Sequence, residues 1–263
     1  MTNRKFWTKE QLDYLIENYK DKDMNHLIEY LGKSYNSIRL KASRLNLPKR
    51  SSKIDMKYFM EIDSEEKAYW LGFIYADGYI IERKEGSEFG LELSIVDIGH
   101  LFKLKESLNS NTEITTRVRS TGLEMCSFRI YKKEFVNTLK IQGIITNKSL
   151  TKTFPTIKKE LIRHFIRGYF DGNGYIGFTK SESIKVALCS GSREFLKELI
   201  KIISSELDFK RDYIPYQSDV NVYNFIPTNK HDINLFLDFI YKNSSLYLER
   251  KLENYIIYKK KVA

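Results

Sequence analysis

The chain has 263 residues, 42% of them apolar and 14% aromatic, with 44 Lys and Arg against 34 Asp and Glu, a formal net charge of +10. That composition fills a packed core and argues against disorder. The lack of any run of ~18 apolar residues excludes a transmembrane helix from the sequence reading. The positive balance selects a polyanionic partner, and nucleic acid leads over a membrane surface because no basic amphipathic anchor stands out. The opening MTNRKFWTKEQ lacks the apolar stretch of a secretory signal, so the expected location is a bacterial, phage or organellar interior. Cys126 and Cys189 have no metal-type spacing and read as free thiols in a reducing compartment.

Residues 1–50 read as a small helical module. WTKEQLDYLIENY offers Thr8 as N-cap and Gln11 three residues on, a capping-box spacing. Leu12, Leu15, Ile16 and Tyr19 follow at helical intervals. A second short helix carries Leu27, Ile28 and Leu31 and stops at Gly32. Ser34 caps a third, in which Ile38, Ala42 and Leu45 share a face while Arg39, Lys41 and Arg44 point elsewhere. Eleven Lys/Arg against six Asp/Glu make this module basic. It resembles helix-turn-helix and Myb-like DNA-binding modules, which place such a third helix in a major groove. Pro48 ends that helix, and a basic linker over 51–57, entered through Lys49 and Arg50, can follow a phosphate backbone.

From about residue 58 the texture changes. A helix near 64–76 leads into a strand and then EFGLELSIV, whose strict alternation puts Phe89, Leu91, Leu93 and Ile95 on one face. A helix, two strands and another helix complete the first half, 58–152. The second half, 153–263, repeats the order: a helix at 158–171, two strands, a helix, strands near 211–217 and 220–226, and a helix over KHDINLFLDFIYKN. The period is too long for a solenoid repeat. It predicts an α+β fold in which two αββαββα halves are related by a pseudo-two-fold axis and form a saddle, preceded by the three-helix module. On the strands, Ile114, Thr116 and Val118 are expected inward, with Arg117, Arg119, Arg129 and Lys185 outward where they can meet guanine edges or phosphates. Glu88 and Glu92 also point outward; contact with cytosine and a place at the rim both stay open.

Two stretches 96 positions apart share one pattern: EKAYWLGFIYADGYII and LIRHFIRGYFDGNGYIG. Each has small residues at i and i+4, Gly72 with Ala76 and Gly168 with Gly172. That spacing clears one helical face and lets two helices approach backbone to backbone. The crossing sets the helix C-termini side by side, and these carry Asp77 and Asn173. A carboxylate at a helix C-terminus faces the negative end of the dipole, at a cost of ~0.3–1 kcal/mol. Its presence there points to a counter-cation, and a hard oxygen ligand beside a polyanion points to Mg²⁺.

These motifs resemble the paired signatures of single-chain LAGLIDADG homing endonucleases, over roughly residues 58–262. The resemblance implies a monomeric, site-specific double-stranded DNA endonuclease with no small-molecule cofactor. It would use Mg²⁺, and Ca²⁺ would occupy the site without supporting cleavage. It implies that Asp77 is the metal-binding acid of the first half, that the carbonyls of Ala76 and Gly172 assist, and that Asn173 stands where the second acid belongs. It further implies basic groups near the scissile phosphates at Lys148 and Lys251, and a structural role for Asp171. Because Asn offers a carbonyl without charge, the expectation is a protein that binds its target and nicks one strand or does not cut. A non-cleaving DNA-binding regulator or an intron RNA maturase on the same fold is the alternative.

Overall fold

The computed structural model describes residues 6–22, 24–48, 53–146 and 152–262. It divides into two compact units, Met1–Ile54 with Asn109–Asn111, and Asp55–Leu108 with Thr112–Ala263. The first unit contains α1 (Lys9–Asn18), α2 (Met24–Leu31) and α3 (Tyr35–Arg44). Thr8 and Gln11 close a reciprocal capping box on α1, at 3.2 and 3.1 Å, so two otherwise orphaned N–H groups are satisfied. Ser34 caps α3. Leu15, Tyr19, Leu27, Leu31, Ile38 and Ala42 form the core. Leu45 was expected on that face, but α3 stops at Arg44, the helical phase is lost, and Leu45 is exposed; Leu47 packs against the core instead.

The second unit holds two successive halves. The first runs α4 (Glu65–Asp77), β1 (Gly78–Arg83), β2 (Gly86–Ser94), α5 (Ile98–Ser107), β3 (Ile114–Val118), β4 (Glu124–Ile130) and α6 (Lys133–Ile141). The second runs α7 (Ile162–Asn173), β5 (Gly174–Phe178), β6 (Ile184–Ser190), α8 (Arg193–Glu206), β7 (Tyr216–Asp219), β8 (Val222–Phe225) and α9 (Lys230–Tyr241). Both sheets are antiparallel with equivalent strand orders, β1-β2-β4-β3 and β5-β6-β8-β7. The chain is thus α+β, αββαββα twice over. One further helix, α10 (Glu249–Val262), follows; the sequence reading had not assigned it, although Leu252, Tyr255 and Tyr258 fall at helical spacing.

Alternation decides which sheet face meets the helices. Phe89, Leu91 and Leu93 of β2 pair across to Ile130, Phe128 and Cys126 of β4, and all six are buried. Ile95, expected to continue this face, lies instead in a 3-10 turn, Ile95–Asp97. The inward reading of β3 needs correction. Ile114 and Thr116 do pair with core-facing Phe128 and Cys126, so their direction is as read. But β3 is the edge strand, and Thr116 and Val118 are exposed, Val118 by 65%. Alternation sets the side a residue points to; cover from a helix, absent at this edge, sets burial.

At the centre α4 and α7 cross. Residues 68–75 of α4 and 164–171 of α7 are buried on every side, as expected for helices at the heart of a unit. A Cβ on Gly72 would stand 2.0 Å from the Phe165 carbonyl oxygen and 2.9 Å from the Tyr169 nitrogen. One on Gly168 would stand 1.9 Å from the Tyr69 carbonyl oxygen and 2.9 Å from the Phe73 nitrogen. A shift of 96 residues converts one set of contacts into the other, so the interface is self-complementary, like that of a symmetric dimer.

Overpacking a tight core costs ~1–3 kcal/mol, and here the obstacle is backbone that no rotamer can avoid. Gly168→Ala or Gly72→Ala is expected to destabilise by about 3 kcal/mol or more, roughly a 10 °C fall in Tm. Gly99→Ala, where nothing lies within 4 Å, should leave Tm level or slightly raised. Equal melting temperatures for Gly168→Ala and Gly99→Ala would refute the close crossing.

Candidate functional site

The crossing delivers the two helix tips to one place. The methyl of Ala76 lies 2.3 Å, and Asp77 Oδ2 3.2 Å, from the point where a Gly172 Cβ would be. Asp77 therefore sits against the residue preceding Asn173. Ala76, Asp77, Gly172 and Asn173 are all half-buried, whereas residues 68–75 and 164–171 beneath them are buried. Beyond the buried crossing, solvent reaches the paired helices again at these tips, as it does in their first turns. Gly78 and Gly174 then lead directly into β1 and β5 with extended backbone, φ −70° and −94°. Their glycine requirement is space: a Cβ would collide with Ile74 or Phe170 at 2.7 and 2.3 Å.

Asn173 is held by its surroundings. Its Nδ2 donates to the Tyr169 hydroxyl at 3.4 Å, which accepts from Lys152 Nζ at 2.6 Å and donates to the Cys189 carbonyl at 3.1 Å. The amide NH₂ is thereby turned to Tyr169, leaving Oδ1 as the side chain's remaining acceptor. The Cys189 thiol donates to the Asn173 carbonyl at 3.2 Å, and burial pushes that thiol up from its ordinary pKa. Lys152 is buried, with its ammonium 4.5 Å from the Tyr169 ring centre. Sequence reasoning had singled out Lys148 instead, which lies outside the described residues; a lysine four positions on carries no pattern that marks it.

Lys251 occupies a different place from the one its sequence context suggested. It lies in the first turn of α10, 2% exposed, and its Nζ donates to the carbonyls of Phe170, Asp171 and Gly174 at 2.6, 2.7 and 2.6 Å. An ammonium has three donors, and all three are engaged here, so none is left for a phosphate. Its charge faces the negative end of the α7 dipole, making it a positioning group beneath Asn173. Burial lowers its pKa to about 8 despite the opposing pull of Asp171.

Asp171 completes this floor. It accepts from the Tyr69 and Tyr241 hydroxyls and the Leu248 N–H at 2.7, 2.6 and 2.8 Å. Burial raises its pKa, against the pull of Lys251 and these hydrogen bonds. Arg167, also buried, donates to Leu246 and Ile240 carbonyls and covers the Tyr69 ring at 5.3 Å. Surface ion pairs continue the attachment: Arg250 to Asp97 at 3.1 Å, and Lys103 to Glu249. The start of α10 thus clamps α7 from below and ties the second half to the first.

Among the described residues, no group of three or more His, Cys, Asp or Glu side chains could hold a metal ion. The tip offers one carboxylate, Asp77, and the neutral oxygen of Asn173, with the Ala76 and Gly172 carbonyls adjacent in the chain. Mg²⁺ is commonly held by one or two carboxylates with phosphate oxygens and water. The donor set fits one such ion completed by a polyanion and does not fit a self-sufficient cage.

The sheet faces turned away from the helices carry the outward residues. On the first sheet, Arg117 and Arg119 both contact Glu92, at 2.7 and 2.5 Å, and Arg129 approaches Glu88 at 3.9 Å. Lys185 is exposed on β6 of the second sheet. In the first unit Arg39 and Arg44 are exposed on α3, while Lys41 is half-buried with its ammonium 5.7 Å from the Trp7 ring centre. Lys49 and Arg50 lie outside the described residues.

The Lys251 cage has a pH signature. Between about pH 8 and the ordinary lysine value near ~10.4, the unfolded chain binds more protons than the folded one at this group. The Lys251 contribution to stability therefore rises with pH through that window and is lost as pH falls through the folded pKa. Urea unfolding of the native chain and Lys251→Met at pH 7 and pH 10 should show the native chain gaining on the variant at the higher pH. A constant difference would contradict the buried ammonium.

No protein-family model matches the chain. It is 27% identical over 145 residues to an uncharacterized protein of Methanocaldococcus jannaschii, covering 52% of this chain and 49% of that protein. It is 30% identical over 123 residues to a probable translation initiation factor of the same organism, covering 42% of this chain and 10% of the factor. The chain thus spans less than half the length of either relative. Among solved structures, a mutant of the meganuclease I-SmaMI aligns with a TM-score of 0.51 at 13% identity, over 73% of this chain and 89% of that one. That likeness shows a shared fold: the two-sheet α+β architecture of this chain is a meganuclease architecture.

Proposed function

We propose that this protein is a site-specific, double-stranded DNA endonuclease of the LAGLIDADG homing type, working as a monomer, whose second strand-cutting centre is weakened by Asn173. The observation that carries the reading is the reciprocal seating of α4 and α7, which brings Asp77 against Gly172, the residue before Asn173, at a half-buried tip. A +10 chain supports a polyanionic substrate, and the exposed Arg39 and Arg44 of α3 support a second duplex contact of helix-turn-helix type.

In this reading Asp77 holds a divalent ion, Mg²⁺ by preference, with the Ala76 and Gly172 carbonyls and scissile phosphate oxygens completing its shell. When bound, the ion supplies charge neutralisation at the phosphate and a more acidic water. Asn173 offers only Oδ1, fixed by the hydrogen bond of its amide to Tyr169. Lys152 and Lys251 bring two buried cations to this side, so a missing carboxylate leaves the second centre short of negative charge. One strand is cut with difficulty or not at all.

Asn173→Asp should restore that charge. On supercoiled plasmid carrying the site, with Mg²⁺, the native chain is expected to stop at nicked circles or act slowly. Asn173→Asp should linearise the plasmid roughly 10–100-fold faster, taking the scale of altered metal-site partners. Asp77→Asn in the native background should abolish cutting with target binding retained. Linearisation by the native chain at the rate of Asn173→Asp would defeat the assignment. Binding without cutting by every form would favour the second reading, a non-cleaving DNA regulator or intron RNA maturase, which the loss of the carboxylate at position 173 already favours.

A further inference from the structure

The first sheet pairs its charges in a way that the alternation along single strands does not reveal. Strand register places Arg83, Glu88, Glu92, Arg117 and Arg129 on the face turned away from the helices, and Arg119 continues the β3 side of it. Glu92 is only 13% exposed, and both its oxygens are taken: Oε2 by Arg117 and by the Ser127 hydroxyl at 3.2 Å, Oε1 by Arg119. Glu88, 7% exposed, lies beneath Arg83 at 3.4 Å and Arg129 at 3.9 Å, and accepts from the Tyr79 hydroxyl at 3.5 Å. The guanidiniums above are open, Arg117 by 56% and Arg83 by 63%. Burial alone would raise the Glu92 pKa, but the hydrogen bonds from Arg119, Ser127 and Arg117 outweigh it and hold the carboxyl below its ordinary range.

Two carboxylates under four guanidiniums are a poor design for simple attraction to phosphate, since each cancels a positive charge. They suit another purpose. A guanidinium is a planar fork of five donors; anchoring one edge on a fixed carboxylate leaves the others aimed outward with their rotamers already restricted. A fork so presented matches the O6 and N7 acceptors of guanine in a major groove. The second sheet has no counterpart: its four strands contain no arginine, and its open face shows Tyr175, Lys185, Cys189, Tyr216 and Asn224.

We propose that Glu88 and Glu92 are positioning residues that fix Arg83, Arg117 and Arg119 as a rigid guanine-reading array, so that the two halves of the DNA site are recognised by different chemistry. Guanines are read under the first sheet, and the second half-site is read without arginine. The inference rests on the duplex-DNA reading above. It assigns the glutamates to sequence discrimination, with no contact of their own to a base.

The test selects sites from a randomised duplex with the full chain at fixed salt. Dissociation constants are then measured for the selected duplex and a scrambled one. Guanines should be enriched in one half of the selected site only. Glu92→Gln keeps the shape but can no longer anchor two cations; it is expected to weaken the selected duplex roughly 10-fold while tightening the scrambled one. Arg117→Lys with Arg119→Lys, at exposed positions that folding tolerates, should lose the same discrimination and keep scrambled affinity, because charge remains and the fork is gone. Equal tightening of both duplexes by Glu92→Gln would make the glutamate a mere repulsive charge and overturn the proposal. Guanines enriched equally in both halves would also overturn it, with the duplex-DNA reading left standing. Failure to select any duplex would take down both.

Discussion

The architecture depends on two missing side chains. Gly72 and Gly168 let the backbones of α4 and α7 touch, and the contacts each makes are the other's contacts shifted by 96 residues. Helices normally pack 8–10 Å apart because side chains intervene; glycine at the crossing removes that spacer. The gain is position: the ends of two separate helices become one half-buried tip that carries a carboxylate and a carboxamide. The sheets then spread from this axis, since each motif helix runs straight through an extended glycine into the first strand of its own sheet.

Symmetry of backbone does not extend to the supporting side chains. Asp171, Arg167 and Lys251 bury charge beneath the second tip, partnered by the Tyr69 and Tyr241 hydroxyls, the carbonyls of Phe170 and Ile240 and the Leu248 N–H, while Arg167 Nη2 has no hydrogen-bond partner among the described residues. At the position equivalent to Asp171 the first half has Tyr75, whose hydroxyl donates to the Gln142 carbonyl at 2.7 Å. Buried charges need opposite charge and hydrogen bonds around them, so the second half relies on a dense polar floor where the first relies on aromatic packing. The sheets divide the same way, arginine above glutamate on one and tyrosine, lysine and asparagine on the other. A duplicated fold has become a pair of unlike tools.

Much of this was legible in the sequence because it rests on local periodicity. Alternation in EFGLELSIV, the i, i+4 small residues and the Thr8–Gln11 capping box all encode geometry within a few positions. What stayed hidden depends on neighbours far along the chain. Thr116 and Val118 point to the helix side yet lie uncovered, because only the strand order makes β3 an edge. Lys251 looked like a candidate for phosphate until its three carbonyl partners, 77 to 81 residues away, were in view. Glu92 could not be matched to Arg117 and Arg119 without the register between β2, β4 and β3.

The cage around the end of α7 also bears on how the molecule is assembled. Lys251 stands 81 residues downstream of Phe170, and Leu248 stands 77 downstream of Asp171. During synthesis α7 emerges well before the partners that neutralise its final turn, and contacts across such separations close slowly. The tip with Asn173 is therefore finished after both sheets have been made. A nascent chain would hold both sheets before it holds a rigid centre between them.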